Sequence, residues 1–441
     1  MNRYTLLPGL LALAVVSPRP ARAEPPLTYR QLLDQVAENN PNVRQARARV
    51  SAAEGQLSEV WSAWRPTLEA AGQVKYSTQQ VELDLGQLIS GLATGFGLDP
   101  STLDLPPPTI IEPHWSVAGV AKVRQLLFDP SAWHGPGIAR AALKAQGLAA
   151  EATTDELLFA AAQLYAGLMA VDALEAAVQR AVASAEARAR DAKVRVEAGL
   201  ATPLDITRAE TRKTEAESQL AQLQAQRRSL QADLQALLGS STPVQVVHEP
   251  LPADLGPAGE GPDDRHDVQA REAALAAAEK EATRTHWLWL PSLVFEAQAT
   301  ATNVGGFTGN HVFGSGFVAL SLPLYDGGAR YAKKDVAEAK VVEAQAALDG
   351  ARLQAHAVIE KAAAHLESAQ AQLTLAEAQL KLADQAVQQV NNLHDSGLAT
   401  SLDLDDADTQ RFGADRQVAE RALDVALSRL RLHYARGGKL R

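Results

Sequence analysis

The sequence predicts a mainly α-helical protein with a small β part, and three observations indicate this fold class. Alanine supplies 84 of the 441 residues, whereas aromatic residues make up only 5%. Alanine has the highest helix propensity and lets helices approach closely. Two long stretches without proline carry an apolar residue at every seventh position, which is typical of coiled coils. Four other stretches alternate between apolar and polar or small residues, which is typical of half-buried β-strands.

Residues 1–23 are predicted to be an export signal that is cleaved off. Arg3 precedes an apolar run that ends at Val16, and Ala21-Arg22-Ala23 matches an A-x-A cleavage site. The apolar run is too short to span a membrane. No later stretch contains about 18 consecutive apolar residues, so we expect no transmembrane helix. The mature protein is therefore expected to be exported.

Composition and motifs argue against several classes of protein. The formal net charge of −10 disfavours nucleic acid as a partner. The absence of cysteine excludes a disulfide scaffold, a thiolate metal site and a cysteine nucleophile. The chain contains neither G-x-S-x-G nor H-E-x-x-H, and its ten histidines are scattered. We therefore predict no enzyme, with no catalytic residues, no cofactor and no metal site.

The chain contains two copies of one structural unit. Residues 199–211 match residues 397–409 at an offset of 198, and residues 64–68 match residues 289–293 at an offset of 225. The offset falls by about 28 along the first copy, which places an insertion within residues 77–113. The predicted organisation is a first repeat, a Pro/Gly-rich connector and a second repeat, covering residues 24–238, 239–262 and 263–441.

Each repeat is predicted to contain a helix, a β-hairpin and two long antiparallel helices. The first helix runs from Leu27 to Ala63 with a break at Asn40-Pro41, and the hairpins occupy residues 66–126 and 291–325. The long helices are predicted at Ile138–Ala198, Leu204–Leu238, Ala329–Asp395 and Leu402–Tyr434. The apolar seam of the third of these is Ile359, Leu366, Leu373, Leu380 and Val387. Such a strict seven-residue repeat implies coiled-coil packing.

Four amphipathic strands cannot stand alone in a membrane. An open sheet in lipid would leave N–H and C=O groups unpaired at its edges, so a sheet that spans the bilayer has to close. Four strands are too few to enclose a pore, whereas several copies of the chain could close one barrel together.

Four tryptophans lie just before strands, at equivalent places in the two repeats. They are Trp61, Trp64, Trp287 and Trp289. We expect these side chains to form an aromatic girdle at a membrane interface. Ordinary packing in a protein core is the alternative.

In these features the sequence resembles the TolC family of outer-membrane efflux proteins. The resemblance covers essentially the whole mature chain. It rests on Leu27–Leu33 with Asn40-Pro41, on the strand starts at Pro66 and Pro291, on Leu322–Gly328 and on the two Gly-Leu-Ala-Thr turns. It implies a homotrimer in which long antiparallel helices form an α-barrel. Four strands per chain would then contribute to one shared 12-stranded transmembrane β-barrel.

The resemblance also implies a place and a role. The protein would sit among the lipids of the outer membrane of a Gram-negative bacterium and extend into the periplasm, with the connector near the equator of the α-barrel. It would act as an exit duct in efflux or type I secretion of small molecules or proteins. Its partners would be a periplasmic adaptor, or membrane fusion protein, and an inner-membrane transporter of the RND or ABC type.

The tips of the two helix–turn–helix segments are candidate contacts for the adaptor. By resemblance these are Gly199, Leu200, Gly397 and Leu398. Glycine also commonly ends a helix as a C-cap, so a purely structural role for the glycines stays open.

Two acidic residues match the aspartates that ring the periplasmic entrance in the family, and they are Asp403 and Asp406. Their i, i+3 spacing places both on one helix face, and a three-fold axis would gather six carboxylates. Crowding of like charges should raise some of their pKa values. Acidic residues are also favoured at helix N-termini by the macrodipole, which is the alternative.

The chain departs from the family at the contacts that hold the entrance shut. The family's tyrosine and arginine correspond here to His394 and Ala399, whereas Asp205 matches the acidic partner. We hypothesise a latch between His394 and Asp205 that strengthens when His394 is protonated, so that opening would be easier at higher pH. An exposed histidine at a helix end is the alternative.

A different class of function also fits part of the sequence, namely a coiled-coil structural protein without a pore, at the cell surface or across the periplasm. Such a protein would need the long helices, but it would not need four amphipathic strands between them.

Overall fold

The computed structural model describes residues 26–440, except residues 106, 200, 241–243, 248, 250, 253–256, 258, 306–308 and 397. The predicted signal, residues 1–23, lies outside the described residues. The backbone but not the side chain is described at residues 394, 395, 401, 402, 404 and 405. Within the described part the chain forms eight α-helices and six β-strands, which confirms a mainly α-helical fold with a small β part.

The predicted helices and strands follow one another in the predicted order, with further elements inside residues 77–113. The helices are α1 (Tyr29–Asn39), α2 (Pro41–Ser62), α3 (Leu85–Gly95), α4 (Pro130–Glu197), α5 (Pro203–Leu238), α6 (His266–His286), α7 (Ala329–Asp395) and α8 (Ser401–Ala435). The strands are β1 (Thr67–Tyr76), β2 (Val81–Leu83), β3 (Thr109–Glu112), β4 (Trp115–Phe128), β5 (Ser292–Thr302) and β6 (Val312–Ser321).

These elements are distributed over two compact units. The first unit comprises the chain up to Gln45, Ala152–Arg265 and His356–Arg441. The second unit comprises Ala46–Glu151 and His266–Ala355, and it contains all six strands.

The core of the first unit is formed where α1 packs among the long helices. Its buried apolar side chains come from α1, α4, α5 and α8 and from the strand-like segments beside them. They include Leu32, Leu33, Val36, Leu158, Tyr165, Leu168, Leu234, Leu238, Val244 and Leu430. Leu27 and Val246 form an isolated parallel bridge beside this core, so the segment before α1 pairs with the segment after α5.

The break between α1 and α2 is a buried joint. Asn40 cannot continue the helix easily, because the residue before a proline is disfavoured in the α region, and its ψ is 129°. Its buried side chain donates to the Leu237 carbonyl oxygen at 2.6 Å and accepts from the Asn42 N–H at 2.8 Å. The break therefore fixes the end of α1 to the end of α5.

Alanine forms the most buried line of α7. The predicted seam residues, including Leu366 and Leu373, are only half-buried. The buried positions lie four residues earlier in each heptad, at Ala355, Ala362, Ala369 and Ala376. Both lines keep the seven-residue period, so the predicted repeat is confirmed, and the alanines form a second, more buried line beside the predicted seam. Alanine on such a line lets neighbouring helices approach closely.

Helix α4 begins at Pro130, eight residues before the predicted start at Ile138, and it contains Pro136. Asp129 caps it, accepting from the Ser131 N–H at 2.9 Å. Part of α4 is long and apolar enough to cross a membrane by composition alone, in contrast to our expectation. The same helix supplies Leu158, Tyr165 and Leu168 to the core of the first unit, which accounts for its apolar composition.

The second unit contains a four-stranded antiparallel sheet in the order β1-β4-β5-β6, so β1 and β6 are its edges. The predicted apolar residues lie on one face because they are cross-strand partners. One row across the sheet is Leu68, Val123, Ala297 and Gly316, and the next is Ala70, Ala121, Ala299 and Gly314. The other face carries Glu69, Lys122, Arg124, Glu296 and Gln298. The last strand ends at Ser321 and not near Tyr325, because Pro323 cannot donate to a ladder.

The predicted insertion, residues 77–113, has structure of its own. Strands β2 and β3 pair in it and helix α3 lies between them, none of which we had predicted. Asp84 is the N-cap of α3 and Leu85, Leu88, Ile89 and Leu92 follow at helical spacing, so the signal was present in the sequence.

Two neighbouring buried tyrosines give a matched test of this core. The Tyr165 hydroxyl donates to the carbonyl oxygens of Val247 and Glu249 at 2.7 and 3.0 Å, which ties the connector to α4. The Tyr29 ring lies 5.4 Å from the Tyr165 ring, and its buried hydroxyl has no hydrogen-bond partner among the described residues. Burial raises the pKa of Tyr29 to about 12.

We expect Tyr165→Phe to lower the free energy of opening the connector by about 1 kcal/mol, because a satisfied hydrogen bond is lost. Tyr29→Phe should leave it unchanged or raise it, because removing an unsatisfied buried hydroxyl costs nothing. Limited proteolysis between residues 239 and 262 measures the difference. Equal cleavage rates in the two variants would contradict this account of the core.

Candidate functional site

The turn from α4 to α5 contains the first pair of predicted tip residues. Gly199 ends α4 with a φ of +72°, a left-handed conformation that glycine adopts without strain. Its N–H donates to the Val196 carbonyl oxygen at 3.0 Å. The C-cap role is therefore present at Gly199. Leu200 lies outside the described residues.

Helix α5 then begins with a capping carboxylate. Asp205 Oδ2 accepts from the backbone N–H and from the hydroxyl of Thr202, both at 2.8 Å. This places the carboxylate at the helix N-terminus, where the macrodipole also favours it.

The turn from α7 to α8 repeats this geometry. Gly397 lies outside the described residues, and Leu398 is 78% exposed. Asp403 Oδ2 accepts from the Thr400 N–H at 2.7 Å and from the Thr400 hydroxyl at 2.6 Å. The Asp403 N–H donates back to Thr400 Oγ1 at 3.3 Å, which completes a capping box.

Both capping carboxylates are stabilised in their charged form. The N–H and the hydroxyl of Thr202 hold the pKa of Asp205 below its usual value. The hydroxyl and the N–H of Thr400 do the same to the pKa of Asp403. Within one chain the pKa values of both carboxyls are therefore lowered, as expected for acidic residues at a helix N-terminus. The upward shift expected for a ring of like charges concerns the trimer and stays a prediction.

Asp406 is exposed one turn along α8 from Asp403. The predicted acidic pair thus combines one carboxylate used in a cap with one directed to solvent. The latch between His394 and Asp205 stays a prediction, because the side chain of His394 lies outside the described residues. The other member of the proposed pair is Asp205, and its carboxylate accepts two hydrogen bonds from Thr202.

The structure adds charged contacts between helices that the sequence analysis missed. Arg188 on α4 lies 3.7 Å from Asp408 on α8, and Arg411 on α8 pairs with Asp384 on α7. Lys193 and Glu210 pair across the first turn at 2.7 Å. Partners on different helices have no fixed sequence spacing, so only the fold reveals them.

The four predicted interface tryptophans lie at one end of the sheet. Trp61 and Trp287 are about two-fifths exposed in the single chain. The Arg140 guanidinium lies over the Trp61 ring at 5.5 Å, and the Arg330 guanidinium lies over the Trp289 ring at 4.1 Å. Arg330 also donates from Nε to Asp326 Oδ2 at 2.9 Å.

Further aromatic residues lie near both ends of the sheet. The Trp133 ring stacks on the Trp64 ring at 6.4 Å, just after β4, and Tyr331 contacts Trp289. At the opposite end Tyr76 and Trp115 are cross-strand partners with ring centroids 4.8 Å apart. The four tryptophans were located because they lie just before a strand. Trp115 begins β4, whereas Tyr76 ends β1 and Trp133 and Tyr331 follow a strand, so that rule does not locate these three.

Asp403 and Asp406 of α8 give a matched test of the cap. We expect Asp403→Ala to increase hydrogen exchange of the amides that begin α8, whereas Asp406→Ala should leave it unchanged. Because the pKa of Asp403 is lowered, its contribution is complete above its ordinary value of 3.8 and is lost as pH falls through the folded value. Exchange corrected for intrinsic rates should thus be constant from pH 7 to about pH 5. Fraying in the Asp406 variant alone would contradict the assignment.

The fold is that of known outer-membrane channels. VceC of Vibrio cholerae superimposes with a TM-score of 0.74 at 20% identity, covering 94% of this chain and 97% of VceC. The open state of MtrE of Neisseria gonorrhoeae also gives 0.74 at 20% identity, covering 94% and 89%. CmeC of Campylobacter jejuni gives 0.73 at 15% identity, covering 93% and 85%. No curated protein sequence matches the chain.

The model of the family described as outer membrane efflux protein matches residues 32–240 and 263–438. The two matched ranges are separated by residues 241–262. The family and the similar structures are channel proteins and not enzymes. Together the two ranges make up most of the chain. This protein therefore belongs to the outer membrane efflux protein family, and it is located in the outer membrane and extends into the periplasm.

Proposed function

We propose that three copies of this chain close one 12-stranded barrel and form a continuous exit duct. The observation that carries the proposal is the open sheet. Strands β1 and β6 are its edges and one of its faces is apolar. Unpaired edges are excluded from lipid, so each β1 would pair with β6 of a neighbour. Family members form trimers, which supports this closure.

The opposite face of the sheet would line the duct. Glu69 and Lys122 are cross-strand partners on it, and Arg124 Nε lies 3.4 Å from Glu296 Oε1. Charges of both signs alternate there, as expected for a wall in contact with water. The duct would continue between α4, α5, α7 and α8 into the periplasm.

The periplasmic adaptor would dock at the capped turns, and an inner-membrane transporter of the RND or ABC type would feed the duct directly or through it. Leu398 supports this role, since a large apolar side chain that is 78% exposed at a rigid turn is suited to burial by a partner. At the entrance Asp406 and the capping Asp403 would concentrate cations.

Neighbouring residues of β5 test the barrel. Ala299 lies on the apolar face and Gln298 on the polar face. We expect Ala299→Arg to destabilise the inserted barrel by about 2–4 kcal/mol, the cost of an arginine facing the middle of the bilayer. Gln298→Arg should still yield trimers. The measurements are the mass of the detergent-solubilised protein by light scattering and the ion conductance of planar bilayers. A wild-type monomer without conductance would contradict the proposal, as would equal loss in both variants.

Leu398 tests the docking site. We expect Leu398→Asp to weaken binding of the adaptor about tenfold or more, since losing about 1.4 kcal/mol at a buried apolar contact changes the affinity tenfold. Leu398→Met should bind like the wild type because it keeps the apolar contact. Surface plasmon resonance with the adaptor on immobilised trimers measures both. Unchanged binding of the Asp variant would place the docking site elsewhere.

A further inference from the structure

Helix α3 presents an apolar face that nothing in the described chain covers. Its N-terminus is fixed by Asp84, whose Oδ1 accepts from the Gln87 N–H at 2.8 Å. The residues that share the exposed apolar face are Leu85, Leu88, Ile89, Leu92 and Phe96. Among them Leu88 is 63% and Phe96 is 82% exposed. Gln87 and Thr94 lie on the opposite side of the helix. An exposed apolar patch of this kind marks an interaction surface.

A short stem holds α3 beside the end of the sheet. Beyond Tyr76 and Trp115 the Ser77 N–H donates to the His114 carbonyl oxygen at 2.8 Å. Lys75 then pairs with Glu112, and β2 pairs with β3. The long helices join the sheet at its other end. Since those helices extend into the periplasm, α3 lies on the outer side of the membrane.

The charges of residues 77–113 argue against lipid as the partner that covers the apolar face of α3. Residues 77–113 contain no lysine or arginine and five acidic residues, which are Glu82, Asp84, Asp99, Asp104 and Glu112. Helices that lie on membranes carry basic residues on their polar face, where they meet anionic lipid headgroups. The polar face of α3 offers Gln87, Ser90 and Thr94 instead.

The position of the loop points to a second copy of the same helix. Helix α3 follows β1, the edge strand that pairs with the neighbouring chain in the proposed trimer. Each α3 therefore stands at a subunit boundary, and a three-fold axis relates three identical apolar faces. We propose that the three α3 helices pack their apolar faces against one another and close the outer mouth of the duct. This inference rests on the proposed trimer.

The absence of cysteine from the chain allows a direct test. Leu92→Cys places one thiol on the apolar face and Thr94→Cys places one on the polar face. We expect a short trifunctional maleimide to link Leu92→Cys into covalent trimers. Under the same conditions Thr94→Cys should run largely as single chains in a denaturing gel, because its thiols are too far apart to be cross-linked. We also expect a membrane-impermeant maleimide to label Thr94→Cys on intact cells at least about tenfold faster than Leu92→Cys, because the packed face excludes water. Light scattering on both variants in detergent establishes whether they are trimers.

Three results would contradict the proposed seal. Trimeric protein in which Leu92→Cys is labelled freely would overturn the seal and leave the duct intact. Trimeric protein in which Leu92→Cys is protected but does not cross-link would show that lipid or another protein covers α3. Monomeric protein would overturn both the duct and the seal.

Discussion

A strand in lipid must pair both of its backbone edges, and the sheet of this chain leaves the outer edges of β1 and β6 open. Most of the other features follow from that constraint. In the proposed trimer each chain would supply a third of the barrel and would have to assemble with copies of itself. Its helices would then surround a duct and have little solid core to fill with large side chains. This explains why alanine is abundant, why Ala362 and Ala369 occupy the most buried line of α7, and why aromatic residues gather at the ends of the sheet.

Much of the fold could be predicted because it is periodic. Helix α7 has the predicted bounds, and the strand faces match the predicted alternation of side chains. The predicted start of α4 was wrong because of a local cap. Helix α4 starts early because Asp129 caps it and Pro130 takes the first helical position, where proline is tolerated. The more buried alanine line of α7 was not predicted because a search for apolar periodicity favours leucine over alanine.

The candidate site could be predicted less well than the fold. The turns were located from the repeated Gly-Leu-Ala-Thr sequence, but hydrogen bonding decides what Asp205 and Asp403 do in each chain. In both cases the carboxylate accepts from the threonine three residues earlier. The contacts of Arg188 with Asp408 and of Arg411 with Asp384 join residues that are far apart in sequence or on different helices. One sequence without its fold contains no signal for such pairs.

The two capped turns have a consequence for stoichiometry. Thr202 with Asp205 and Thr400 with Asp403 give α5 and α8 of one chain the same threonine–aspartate cap at their N-termini. Duplication has thus made two nearly equivalent ends within each subunit. An assembly of three subunits would present six of them, so a partner that recognises this turn could bind in twice the number of the channel chains. Pro203 and Ser401, which follow the two threonines, would be the main means of telling the two classes apart.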